Sequence, residues 1–493
     1  MIQRIRASLA NNFDSATTKL AVACVGSLVI YILAFTLPAN LLKLVDQVHL
    51  DGHLLRDVGL PAYLRMVLAF GSVTFLYFWG FRAAAKAKSK VAWVIVIAGM
   101  VAFVLVFLFM APFDALDIYD NIFHGRITGI YAGNPFSQVI ASFPQDPFFI
   151  YSPWKSSPSA YGPVWEILAG LTARLAGNGI LENVVAFKLL PGIFQLAGGT
   201  VVAVFFRRTA PERALSGALL LGWNPVILYE AWGNGHNDFV MAFWVLLAAI
   251  LFSRKHYSWA VLSLVVGALI KFIPLLLIPA ALLIGLRNLQ KVRSRLWFLF
   301  KTTTGALLMV IAAYLPFWNG LATLNITRRM QMFTTSIPSV IYRLLTPVLG
   351  LSESARLVSL GALGLLAVFT LYQSFQVDEQ EPSRDFSSIA FYILAFYLMI
   401  TCLWFQQWYS LWLVALAPLL PENNRRLALL IGFWVLTKQF VFGPLIVPVM
   451  TLYPNKAIWL EPLLTISTLG IPWIFAVKNT WISRRLLEIK PTI

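Results

Sequence analysis

Charge is what this chain has least of. Lys, Arg, Asp and Glu together make up 12% of its 493 residues, too few to cover a soluble globule of that size, where about a quarter is usual. An ordinary soluble protein is thereby excluded. Cysteine is nearly absent: Cys24 and Cys402 fall in different apolar segments, which excludes a disulfide framework and any CxxC metal site. The chain also lacks a Walker loop, a GxGxxG following a strand, an HExxH and a metal-ligand cluster. A soluble nucleotide-binding fold therefore has nowhere to sit.

What fills the chain is apolar. Hydrophobic residues reach 59% and the mean hydropathy is +0.76. Apolar stretches recur at about 15–25 residues, matching the ~20 needed to cross a hydrocarbon core. The pattern predicts an all-α polytopic membrane protein forming a single domain over 1–493, with about 13–14 transmembrane helices and no soluble domain or short-period repeat. The first apolar run, near 20–41, is too long for a signal-peptide core and lacks a small-residue cleavage site, so it is expected to be retained. The net charge of +17 sits in short clusters between apolar segments rather than along one face. That is the positive-inside pattern of a membrane protein, and nucleic acid is not expected as a partner.

Those clusters set the topology. Arg4, Arg6 and Lys19 place the N-terminus in the cytoplasm, and helices near 62–81 and 91–111 carry the chain back in and out again around Arg82, Lys86, Lys88 and Lys90. The stretch 112–163 is then the first large extracytoplasmic loop. Residues 163–176 are short for a span. Reading them as a re-entrant or surface helix returns Arg207, Arg208 and Arg213 to the cytoplasm, from which a helix at 214–230 leads outward to residues 233–238. The apolar run 257–286 is interrupted at Lys271-Phe272-Ile273-Pro274 and flanked by basic clusters at both ends, so parity asks for two short helices meeting at Lys271. A second outer loop spans 318–356, and the basic tail (Arg484, Arg485, Lys490) lies inside with the C-terminus. That second loop carries Arg328, Arg329 and Arg343 against the charge trend. An amphipathic surface helix on anionic headgroups explains this, as does a site for a lipid-linked phosphate.

The first loop carries Asp114, Asp117 and Asp120, a density of carboxylates that transport and structural membrane proteins seldom keep in water. In helical geometry Asp117, Asn121 and His124 share a face. Asp114 suits an N-cap, leaving Asp117 free to take a proton from an attacking hydroxyl; Asp114 is the second candidate for that role. Tyr161-Gly162-Pro163 places a turn before a helix, with Pro163 in its first turn. Tyr161 and Trp165 could form an aromatic platform on which a sugar ring stacks.

Gly233-Asn234-Gly235-His236-Asn237-Asp238 reads as a tight turn entering a helix N-terminus. Asn237 or Asp238 there either caps the helix or, with His236, binds sugar or phosphate. Lys271 interrupts an apolar run, where a charge is costly unless it lines a cavity or snorkels; facing a phosphate, it would stabilise a leaving group. Gln406-Gln407-Trp408-Tyr409 adds an amide pair within an interfacial aromatic belt.

Taken in order, Asp117-Ile-Tyr119, Gly125-Arg126, Gly133-Asn134-Pro135-Phe136, Tyr161-Gly162-Pro163, Asn224-Pro225, the 233–238 turn, Leu269-Ile270-Lys271 and Gln407-Trp408-Tyr409 resemble the bacterial polyprenol-phosphomannose-dependent mannosyltransferases of the GT-C class. The likeness spans about residues 110–415 and departs at Gln407, where family members often carry proline between Gln and Trp-Tyr. It implies a GT-C bundle with extracytoplasmic loop helices and, at the cell membrane, transfer of a hexose, mannose favoured, from a polyprenyl-phosphate sugar to a glycan or lipid acceptor in cell-envelope glycan synthesis, with anomeric inversion.

On that reading Asp117 or Asp114 is the base. Lys271, Arg328, Arg329, Arg126 and His236 meet the donor phosphate. Tyr161, Trp165, Asn237, Asp238, Gln407, Trp408 and Tyr409 contact sugar or acceptor. No cofactor or metal is expected, although three neighbouring aspartates leave a divalent cation as the alternative. Rival readings are a flippase or transporter of lipid-linked sugars, which would show two matched halves with broken helices, and a non-catalytic partner in envelope assembly.

Overall fold

The computed structural model describes residues 14–44, 59–112, 116–320, 323, 332–378, 381, 384–452 and 457–488. Among them it is built from helices and turns, with no strand beyond two isolated bridges. We number the longer helices α1 (Ser15–Ile30), α2 (Gly59–Ala84), α3 (Lys90–Leu108), α4 (Asp117–Gly129), α5 (Pro163–Ala176), α6 (Ile180–Thr209), α7 (Ala214–Gly222), α8 (Asp238–Ser253), α9 (Tyr257–Ala268), α10 (Ile278–Asn288), α11 (Val292–Tyr314), α12 (Ile337–Leu349), α13 (Leu351–Phe375), α14 (Phe386–Phe396), α15 (Leu411–Leu416), α16 (Glu422–Leu452) and α17 (Ala457–Glu488).

Among the described residues, six helical stretches are long and apolar enough to cross a membrane: Ser15–Thr36, Pro61–Ala84, Lys90–Leu108, Ile180–Thr209, Val292–Phe317 and Leu351–Phe375. Shorter apolar helices, including α8, α9, α12 and Ile273–Asn288, accompany them. The protein is therefore an all-α polytopic membrane protein. α5 is not among the spans: its 14 residues extend about 21 Å at 1.5 Å per residue, short of a ~30 Å core.

Contacts divide the chain into two units, one of residues 1–250, 262–275 and 301–324, the other of 251–261, 276–300 and 325–493. The first unit is held by polar groups that close helix ends inside an apolar bundle, where no water can do so. Lys188, fully buried on α6, donates to the carbonyl oxygens of Phe107 (3.2 Å), Leu108 (3.4 Å) and Met110. These are carbonyls at the end of α3, which have no partner within the helix. The indole of Trp223 donates to the Val96 carbonyl at 2.9 Å, and Tyr77 donates its hydroxyl proton to the Leu220 carbonyl at 2.8 Å.

In the second unit the segment before α12 pairs with the one before α15. Thr334 donates its backbone N–H to Leu403, and Phe405 donates back to Thr334, each at 3.1 Å. The next residue, Thr335, sits at φ +50°, an uncommon conformation for a β-branched side chain. Ser336 opens α12 with a capping box closed by Ser339.

One expectation changes in detail, and two others fall outside the described residues. The first-loop helix starts at Asp117 with Leu116 in the N-cap position; Asp114, expected as a cap, lies outside the described residues. The helix expected over 214–230 ends at Gly222. Asn224 then caps a new turn through Val226 and Ile227, and the chain widens into a π-type turn over Leu228–Gly233. The basic stretch with Arg328 and Arg329 lies outside the described residues.

α4 and α5 approach until backbone meets backbone. A Cβ on Gly129 would stand 2.0 Å from the carbonyl oxygen of Gly170, with backbone on both sides and nothing free to yield. Gly129→Ala should therefore destabilise the protein by about 1–3 kcal/mol. Gly361→Ala on α13, where a Cβ meets nothing within 4 Å, should be neutral or slightly stabilising. Thermal unfolding of the two variants in detergent checks this; equal behaviour would mean the close approach is not rigid.

Candidate active site

α4 begins with its two carboxylates. Asp117 is half-buried and Asp120 is buried, and negative charge in a first helical turn is stabilising there. Asp120 fastens the far side of the loop: Ser152 donates its hydroxyl proton to Oδ1, and the Trp154 N–H approaches the same oxygen at 3.4 Å. Tyr119 stacks on Tyr151, with centroids 5.1 Å apart. One turn beyond Asp117, Asn121 accepts the indole proton of Trp165 at 3.1 Å. The helix that carries the candidate base is thus gripped from the 151–154 segment and from α5.

Arg126, expected to meet a donor phosphate, is used up inside the protein. Its guanidinium is 2% exposed and donates to Asp146 Oδ2 at 2.8 Å, to the Gly177 carbonyl at 2.9 Å and to Asn178 Oδ1 at 3.0 Å. It also lies over the Phe148 ring. Asp146 in turn accepts from the Tyr131 hydroxyl and the Phe148 N–H, each at 2.8 Å. A guanidinium buried and bonded in this way ties the first loop to the 177–178 segment.

The Tyr161-Gly162-Pro163 turn does more than start α5, although Pro163 does stand in its first turn. Gly162 donates its N–H to the Ile270 carbonyl at 2.8 Å, and Val164 donates to Leu269 at 2.9 Å. Two motifs more than a hundred residues apart are joined here by backbone. Only glycine permits it: a Cβ on Gly162 would stand 2.1 Å from the Leu269 carbonyl oxygen. Upstream, the Ser159 N–H is held by the Pro135 carbonyl at 2.8 Å, and its hydroxyl donates to Glu166 Oε1 at 2.5 Å while accepting the Tyr161 N–H at 3.2 Å. Tyr161 and Trp165 meet edge to face at 6.0 Å, a shared aromatic corner rather than a flat platform.

α9 ends at Ala268 and a 3-10 turn starts at Ile273, with Lys271 at the break between two short helices. Its ammonium donates to Asp238 Oδ1 at 2.6 Å and stands 5.7 Å from the Tyr161 ring centroid. Asp238 is the first residue of α8, reached through Gly235 at φ +74°, where a Cβ would strike the Ile118 side chain at 2.5 Å. The 233–238 turn therefore packs onto α4 next to Asp117.

In that turn His236 Nε2 lies 3.3 Å from Glu230 Oε2, which also accepts from Asn234 Nδ2 at 3.2 Å. Burial, reinforced by the charge of Lys271, holds the His236 imidazolium well below the usual histidine range. His236 is thus buried on the inner side of the turn, with Glu230 beside it. Asn237 is buried too, and its carbonyl accepts the Val240 N–H at 3.0 Å.

One unbroken series of contacts thus runs from Asp238 through Lys271, Tyr161, Trp165 and Asn121 to the helix of Asp117. In the second unit, Gln407 starts a 3-10 turn, Trp408 is buried, and Tyr409 stacks on Trp412 with centroids 4.6 Å apart. Sequence reasoning missed Asp146, Glu166, Glu230 and Lys188. Among the described residues no group of three His, Cys, Asp or Glu side chains stands together as a metal site.

A family model described as "Alpha-(1->6)-mannopyranosyltransferase, N-terminal domain" matches residues 20–287, more than half the chain and every residue of the series above. Two proteins of Corynebacterium glutamicum are similar. Alpha-(1->6)-mannopyranosyltransferase A is 24% identical over 190 residues, covering 38% of each chain. Alpha-(1->6)-mannopyranosyltransferase B is 27% identical over 151 residues, covering 28% of this chain and 24% of its own. The matched stretches thus span well under half the length of these relatives. No solved structure matches.

Glu166 provides a pH test. It is fully buried on α5, and desolvation, partly offset by the Ser159 hydrogen bond, pushes its pKa up to about 7 from 4.5. A carboxyl raised in the folded state stabilises fully below its unfolded value and loses that contribution as pH rises through the folded one. The Ser159–Tyr161 arm should therefore weaken between about pH 5 and 8, by on the order of 2 kcal/mol of local stability. Glu166→Gln should remove that dependence. Hydrogen exchange at the Tyr161 and Gly162 amides, followed against pH in both proteins, reads it; identical pH profiles would show that Glu166 stays in one protonation state.

Proposed function

This chain belongs to the alpha-(1->6)-mannopyranosyltransferase family, and from that premise we propose that it transfers a mannosyl unit from a polyprenyl-phosphate mannose to a glycan or lipid acceptor. The observation that carries the reading is the joining of three separate motifs into one cluster: the Asp117 helix, the Tyr161 turn and the Lys271–Asp238 pair. Membership in the family supports reading the cluster as a transferase site, and the membrane setting fits a donor whose sugar rides on a lipid.

In this reading Asp117 takes the proton of the acceptor hydroxyl as its oxygen bonds to the anomeric carbon. The bond from that carbon to the phosphate oxygen breaks on the opposite face, and the electron pair leaves with the phosphate, so configuration inverts. Lys271 faces the charge that develops there. Tyr161 and Trp165 border the sugar. Arg328 and Arg329 are candidates for the same phosphate, and Gln407, Trp408 and Tyr409 for sugar, on sequence grounds. Asp114 is the alternative base. The reaction runs on the lipid-linked sugar without a resident cofactor. The charge distribution supports a cell-membrane location with both termini cytoplasmic and the first loop outside.

The test is transfer of radiolabelled mannose from polyprenyl-phosphate mannose in membranes carrying the wild-type chain or Asp117→Asn. The wild type should label glycan or lipid. The variant should lose about 10²–10⁴-fold in rate, the usual worth of a general base, while still binding donor. Equal labelling by both would move the role to another carboxylate, and movement of the intact donor across the bilayer without transfer would make the protein a flippase.

A further inference from the structure

The Lys271–Asp238 pair poses a question that the proposed reaction does not answer. A cation meant for a phosphate is already held at 2.6 Å by a carboxylate that is 1% exposed, while the lysine itself is 13% exposed. Asp238 is fixed from behind as the first residue of α8. Lys271 instead sits on an irregular turn between two short helices, on a flexible stem. Around the pair, His236 lies buried beside Glu230, and Tyr161 presents its ring to the ammonium at 5.7 Å. The partner built to stay is the aspartate. The partner able to turn is the lysine.

We propose that Asp238 is the resting counter-ion of Lys271 and sets how readily the enzyme releases its lipid phosphate product. The inference rests on the function proposed above. A polyprenyl-phosphate sugar is a phosphodiester with a single negative charge. Once the sugar has left, the lipid carries a phosphomonoester, whose second ionisation lies near pH 6 and gives it about −1.5 to −2 at neutral pH. Lys271 alone would therefore hold product more tightly than donor and trap the enzyme after each turnover. A carboxylate waiting at hydrogen-bond distance takes the ammonium back, weakens its hold on either phosphate and so shortens the stay of the product. Asp238 is in this account a positioning residue acting through Lys271, with no contact to the reacting atoms.

The test compares wild type, Asp238→Asn, Asp238→Glu and the double variant Asp238→Asn with Lys271→Gln. Each purified full-length protein is titrated with a short-chain polyprenyl phosphate, the matching uncharged polyprenol and dioleoyl phosphatidic acid. Asp238→Asn should bind the polyprenyl phosphate about tenfold more tightly than wild type, as loss of a competing charge-assisted hydrogen bond implies. Binding of the polyprenol should be unchanged. Asp238→Glu should stay near wild type, and the double variant should lose the gain.

In turnover, Asp238→Asn should lower KM for the donor and kcat together and sharpen inhibition by polyprenyl phosphate. A purely structural role would raise KM or unfold the protein. Unchanged or weaker phosphate binding in a folded Asp238→Asn protein overturns the proposal, as does an equal gain toward phosphatidic acid. The binding arms need no catalysis. A chain that transfers no mannose would sink the proposed function, while the titrations would still decide whether Asp238 competes with phosphate for Lys271.

Discussion

The site depends on two backbone hydrogen bonds. Where Gly162 and Val164 dock on Ile270 and Leu269, the start of a loop helix becomes the wall of a break between two apolar helices. The candidate site residues of the first unit gather around that seam. Lys271 is the next residue along, Tyr161 overhangs it, Asp238 meets it from α8, and Trp165, one turn into α5, reaches Asn121 on the helix of Asp117. A membrane protein can tolerate irregular backbone at such a break only if its amides and carbonyls find partners within the protein. The Tyr-Gly-Pro turn supplies them.

Around the seam, buried charges keep the loop in place. Asp146 gathers Arg126, Tyr131 and its own downstream amide, and Asp120 gathers the hydroxyl of Ser152 and the amide of Trp154. Such pairs bring little net stability once desolvation is counted. What they supply is a fixed geometry, because breaking any one leaves a charge buried without its partner. A carboxylate such as Asp117 needs that kind of support from a first loop otherwise rich in turns.

Much of this is legible in the residues. The break at Lys271, the proline at the head of α5 and the tight turn before Asp238 are local events, written in proline, glycine and interrupted hydropathy. Partners distant in sequence are not legible. Nothing near Arg126 announces Asp146, Gly177 and Asn178 as its acceptors, so a basic residue in a carboxylate-rich loop reads as a ligand for phosphate. Lys188 sits inside a long apolar helix, and only the fold shows it closing the carbonyl end of α3.

The most direct test is to break the seam and leave every charged residue in place. Gly162→Ala puts a methyl group against the Leu269 carbonyl oxygen and touches no proposed catalytic or binding side chain. Transfer from polyprenyl-phosphate mannose should fall at least tenfold in a protein that still folds, since misplacing a reacting group by about 1 Å costs on the order of a hundredfold. Wild-type transfer by a folded Gly162→Ala protein would mean that the docking does not position the site, and the account built on it would fall.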